Sequence, residues 1–97
     1  MRILLVEDEV RLARSYMRNL EDEGHTVTTI HDGDAAFAAV SATPDAFDAL
    51  IVDVLLPGRN GIALCRDLRR AGMRTPILLL TALDATQDKV AGLDAGA

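Results

Sequence analysis

The chain has 97 residues, ten Lys and Arg against fifteen Asp and Glu for a formal charge of −5, and 49% hydrophobic with 26% charged residues. This composition suits one ordinary globular domain and excludes a disordered or fibrous chain, and its acidic balance argues against gripping nucleic-acid phosphates or an anionic membrane directly. A single cysteine, Cys65, excludes an internal disulfide and suits a reduced, cytoplasmic compartment.

The first apolar run, Ile3 to Val6, is too short for a signal-peptide core or a membrane span and reads as a strand buried on both faces. It leads directly into three acids, Glu7, Asp8 and Glu9. Val10, Ala13, Met17 and Leu20 then recur at helical spacing, with Gly24 placed to end that helix. Thr26 to Ile30 is β-branched but half polar, the pattern of an edge strand. Asp32 is placed to cap a second helix carrying Ala36, Phe37 and Val40. A second wholly apolar run, Ala49 to Val52, ends in Asp53. Pro57 and Gly58 form a turn, Asn60 caps a third helix through Gly61, Ile62, Cys65 and Leu68, and Gly72 ends it. The third apolar run, Ile77 to Leu80, ends in Thr81. Asp84 and Gln87 resemble a capping box that opens a fourth helix through Val90, Leu93 and Ala97.

Strand and helix thus alternate four times with short connections, which implies an α/β fold with a doubly wound parallel sheet and right-handed crossovers. Gly24 and Gly72 each precede a strand, whereas Gly96 precedes only Ala97. A fifth strand is therefore expected beyond the chain, which reads as residues 1–97 of a domain incomplete at its C-terminus. Ile77 to Leu80 is then expected as an unpaired edge, to be covered by self-association or swapping.

Ligands of open α/β sheets bind beyond the C-terminal strand ends, where Glu7, Asp8, Asp53 and Thr81 collect. If the first and third strands are neighbours, about 4.8 Å apart, Glu7 or Asp8 lies close to Asp53. Crowded carboxylates repel and raise at least one pKa unless a cation neutralises them. Mg²⁺ suits oxygen ligands of this kind, whereas no His and Cys cluster with zinc spacing exists, and His25 and His31 stand far in sequence from the acids. Plain structural readings compete: Glu7, Asp8 and Glu9 suit the positive end of a helix, Asp53 could be a solvated strand-end cap, and Thr81 an ordinary β-branched terminus. Against the reading of Asp53 as a cap stands the cost of a carboxylate following four apolar residues in a central strand.

Leu4-Leu5-Val6-Glu7-Asp8-Glu9, Leu50 to Gly58 with Asn60-Gly61, and Leu79-Leu80-Thr81-Ala82 together resemble the receiver domain of two-component response regulators, across the whole chain. The resemblance implies a flavodoxin-like sheet of order 2-1-3-4, with the fifth strand and fifth helix outside this chain. It makes Asp53 the phosphoacceptor for a sensor histidine kinase, in a step that needs Mg²⁺. Glu7, Asp8, Asp53 and the Leu55 backbone carbonyl would hold the metal, Thr81 would supply the switch hydroxyl, and the Ala82 amide would assist it. The implied protein is a phosphoryl acceptor, not an enzyme, with self-dephosphorylation left open.

Residues 80–84 and 92–97 look most like receivers of the OmpR/PhoB type. That implies transcriptional output and DNA contact only through a winged-helix domain absent from this chain, with no membrane partner. The family pattern also places a lysine at the end of the fifth strand and an aromatic switch residue within it. Neither position exists here, and the only lysine, Lys89, falls in the fourth predicted helix as a solvated residue. Arg11, Arg14 and Arg18 form one stripe of the first helix, read either as a kinase-facing surface or as a solvated charged face. Arg66, Arg69, Arg70 and Arg74 suit a helix C-terminus. Two other functions stay open: a receiver used only for protein contacts, and a small Mg²⁺-dependent phosphatase. The phosphatase would want a general acid two residues after its nucleophile, where Leu55 stands.

Overall fold

The computed structural model describes residues 1–80 and 90–93. Its elements are β1 (Arg2–Val6), α1 (Val10–Asp22), β2 (Thr26–Ile30), α2 (Gly33–Ala42), β3 (Ala49–Asp53), α3 (Gly61–Arg70), β4 (Ile77–Leu80) and β5 (Val90–Leu93). The strands form one sheet of order β2-β1-β3-β4-β5. The first four are parallel, with Val6 opposite Ile30 and Val52, and Asp53 opposite Leu80. The three apolar runs form the strands expected of them, and half-polar β2 takes the edge.

Alternation along the strands divides the apolar residues between two faces. Leu4, Val6, Leu50, Val52, Ile77 and Leu79 join Ala36 and Val40 of α2 and Leu64, Cys65 and Leu68 of α3 in the main core. Leu5, Ile51, Leu78 and Leu80 turn the other way and line a groove with Tyr16 and Leu20 of α1. The helix ends follow their sequence signals. Asp32 accepts the Ala35 N–H at 2.6 Å and Asn60 the Ala63 N–H at 2.8 Å, while Gly24 and Gly72 adopt φ of 94° and 95°. Arg69 donates to the Met73 and Thr75 carbonyls, each at 2.8 Å, as suits a guanidinium at a helix C-terminus.

Two expectations are corrected. Val90 and Leu93, assigned to a fourth helix by their spacing, lie instead in β5, which pairs antiparallel with β4 through Leu78 opposite Leu93 and Leu79 opposite Gly92. The open apolar edge of β4 offers β5 backbone partners, with one irregularity between Leu79 and Leu80, and Gly92 weakens the competing helix. The same pairing corrects the expected bare edge of β4: the chain covers it from within. The capping pair Asp84 and Gln87, Lys89, Gly96 and Ala97 lie outside the described residues. In addition, Val10 and Ile62 stand in the first turns of their helices at 51% and 40% exposure, not in the core stripe that their spacing suggests.

Candidate functional site

The parallel register of β1 and β3 carries Glu7 and Asp53 side by side out of the sheet. Glu7 extends the β1 pairing by donating its N–H to the Ile30 carbonyl at 3.0 Å, so its side chain is held at the end of the core. It is 3% exposed and Asp53 is 6% exposed, while Asp8 is open to solvent. One carboxylate oxygen from each of Glu7, Asp8 and Asp53 lies within 4.8 Å of the others.

The three acids of the β1–α1 connection divide their work. Glu9 caps α1, accepting the Arg11 N–H at 2.9 Å, and so takes the structural role. Glu7 accepts the Glu9 N–H at 3.1 Å and turns toward Asp53. Asp53 accepts the Leu55 N–H at 3.2 Å, which brings that amide to the site while the residue as a whole stays 55% exposed. The connection from β3 is closed by Val54 N–H on the Leu80 carbonyl at 2.8 Å and Gly61 N–H on the Val54 carbonyl at 2.9 Å. Gly61 is required there, because an added Cβ would overlap the Asp53 carbonyl.

Burial is the main force that raises the Glu7 carboxyl, to about 7, aided by the Asp53 charge, a hydrogen bond shared with Asp53, and the Asp8 charge; the Glu9 amide opposes them. Tyr16 is also raised, first by burial and then by the charges of Glu7 and Asp53, which places its phenol within their field. Mutually repelling, oxygen-only donors at the mouth of a dry core fit a hard divalent cation such as Mg²⁺. Bound there, such an ion would replace the proton that Glu7 otherwise keeps.

Glu7, Asp8 and Asp53 are thus brought together as the sequence suggests, while at Leu55 it is the N–H that meets Asp53, not the carbonyl that the resemblance names as a metal ligand. Thr81 and Ala82 lie outside the described residues. Sequence reasoning missed three side chains. His31 sets its Nδ1 2.9 Å from the Glu7 carbonyl, where a protonated nitrogen donates; the register pairing Val6 with Ile30 makes residues 7 and 31 neighbours and could have revealed this. Tyr16 gave no signal beyond its helix face. Arg59 belongs to no local motif, yet it joins two helices through its ion pairs to Asp34 and Asp67.

Residues 3–97 match the model of the response regulator receiver domain. The transcriptional regulatory protein TcrA of Mycobacterium tuberculosis is 49% identical over 96 residues, covering 99% of this chain and 37% of TcrA. The response regulator PmrA of Pseudomonas aeruginosa is 48% identical over 97 residues, covering all of this chain and 43% of PmrA. The chain therefore spans about two fifths of the length of these relatives. Among solved structures, the response regulator TrrA of Thermotoga maritima in complex with Mg²⁺ and BeF superposes with a TM-score of 0.76 at 28% identity, covering 89% of this chain and 73% of TrrA.

Proposed function

This chain belongs to the response regulator receiver domain family, and from that premise we propose that Asp53 is its phosphoacceptor. The observation that carries the reading is the convergence of Glu7, Asp8 and Asp53 within 4.8 Å at the ends of two adjacent parallel strands. A carboxylate oxygen of Asp53 attacks the phosphorus of a phosphohistidine on a sensor kinase; the P–N bond breaks, a P–O bond forms, and the product is an acyl phosphate. The Leu55 N–H fixes one Asp53 oxygen and so orients the carboxylate for in-line attack.

Glu7 and Asp8, with the Leu55 carbonyl, are assigned to hold Mg²⁺ beside Asp53, and the ion would offset the charge of the incoming phosphoryl group. Near neutral pH part of the Glu7 population still carries its proton, so binding the ion releases protons, more of them as the pH falls below about 7. Thr81 and the Ala82 amide are assigned to receive the phosphoryl oxygens, since Asp53 pairs with Leu80, the residue before Thr81.

The domain is read as a switch for transcription, in keeping with the name of TcrA, with DNA bound by a further domain of the whole protein. A cytoplasmic location and partnership with a histidine kinase follow from the same reading. The exposed Arg11, Arg14 and Arg18 are the assigned kinase-facing stripe. The phosphatase reading finds no support at Leu55, which offers no acid beside Asp53.

The test is chemical lability. Phosphoramidate with Mg²⁺ should label the protein with phosphate that hydroxylamine removes, and Asp53→Asn should take up none. Label that survives hydroxylamine, or that persists in the variant, would contradict the assignment.

A further inference from the structure

Residues 54–60 connect the phosphoacceptor strand to α3 and must hold the Leu55 main chain against Asp53. Few backbone contacts fix the middle of this connection. One is the Pro57 carbonyl, which accepts the Gly33 N–H, a free donor of the first turn of α2, at 3.1 Å. The other fixture is a side chain. Arg59 sets Nε 3.2 Å from Asp34 Oδ1 in the first turn of α2 and Nη1 3.4 Å from Asp67 Oδ2 on α3. Its guanidinium also lies 4.1 Å from the centre of the Phe37 ring.

The fit is close along the backbone as well, since a Cβ on Gly33 would overlap the Arg59 carbonyl. A planar guanidinium can serve two carboxylates and an aromatic face at once, which an ammonium cannot. With its side chain 26% exposed, Arg59 is half sunk between the helices, in contrast to Arg2, whose pair with Asp48 is open on both sides.

We propose that Arg59 is a positioning residue, one that pins the β3–α3 connection to α2 and so holds the Leu55 main chain in register with Asp53. The proposal rests on the phosphoacceptor reading for its consequence, though the pinning itself can be measured without any phosphoryl transfer. Ion pairs on this surface add little to global stability. Their loss should therefore show in the local geometry of the connection more than in the melt.

The experiment uses the whole chain and compares wild type with Arg59→Ala and Arg59→Lys by amide hydrogen exchange without metal, Mg²⁺ titration and thermal melting. In Arg59→Ala the Gly33 and Leu55 amides should exchange severalfold faster, and Mg²⁺ should bind about three- to tenfold more weakly, short of the roughly 10- to 100-fold cost of removing a direct outer partner of a metal site. Arg59→Lys should recover only part of both effects, with the melt hardly moved.

Unchanged exchange at Leu55 together with unchanged Mg²⁺ affinity would overturn the proposal. Should Arg59→Ala fold poorly, Asp34→Asn and Asp67→Asn each remove one arm; both should move the same amides in the same direction, and silence in both would also overturn it. Failure of wild type to take up a phosphoryl group would count against the phosphoacceptor reading alone, because the exchange and Mg²⁺ measurements still decide the role of Arg59.

Discussion

The two connections that build the site solve different problems. The β1–α1 connection is three residues long, all acidic, and brings charge that the fold must tolerate. The β3–α3 connection is seven residues long, carries no acid, and is stitched to α2, α3 and β4 by main-chain bonds and by Arg59. One supplies charge in excess of what a dry site accepts, and the other supplies position. The site is therefore strained electrostatically on one side and held sterically on the other, which suits a centre that waits for a cation and a phosphoryl group.

The contrast can be sharpened first on the charged side. If Mg²⁺ relieves the repulsion, adding it at a hundredfold excess over its dissociation constant should raise the unfolding free energy by about 2.7 kcal/mol, and the gain should shrink in Asp53→Asn. A chemical melt that ignores Mg²⁺ would place the strain elsewhere. On the positional side, Gly33→Ala and Gly61→Ala press a methyl group against the Arg59 and Asp53 carbonyls respectively, and each should cost about 1–3 kcal/mol, the range of an overpacked site. Denaturant melts check this, and a neutral result at both positions would show the connection to be slack.

The pH dependence is subtler. The folded Glu7 carboxyl titrates near 7, above its ordinary 4.5, so between those values the folded state binds more protons than the unfolded state. The contribution of Glu7 to stability is then fully present at low pH and lost as pH rises through about 7. Without metal, the stability of wild type relative to Glu7→Gln should fall from acid to mildly alkaline buffer, and Mg²⁺ should flatten the difference. A difference that rises with pH would reverse the sign of the argument. The smallest effect should come from Arg2→Ala, far from both connections: its pair with Asp48 is exposed on both sides, and the melt should barely move while Mg²⁺ affinity stays unchanged.

Much of this was legible in the sequence. Ile3 to Val6, Ala49 to Val52 and Ile77 to Leu80 stand out as plain apolar runs, although only β1 is buried on both faces: Ile51, Leu78 and Leu80 are half-buried along the groove beside α1. An acid directly after such a run, as at Asp53, marks itself for the same reason. Asp32 and Asn60 announce helix starts because capping is local chemistry. What stayed hidden depends on distant partners. Helical spacing groups Val10 and Ile62 with the buried positions of their helices, yet both stand exposed in first turns. Helical spacing also misassigned Val90 and Leu93, since only the neighbouring β4 edge makes a strand of them. The contacts of Arg59 come from α2 and α3, which no local pattern can reveal.

Between the charged and the pinned connection, Asp53 is proposed to accept a phosphoryl group in a metal-dependent step. Its most direct test is the intact mass of the chain after incubation with acetyl phosphate, with and without Mg²⁺, beside Asp53→Asn. One added phosphoryl group that needs both the metal and Asp53 is the predicted result. A folded chain that gains no mass with Mg²⁺ present, or that gains it equally in the variant, would contradict the account.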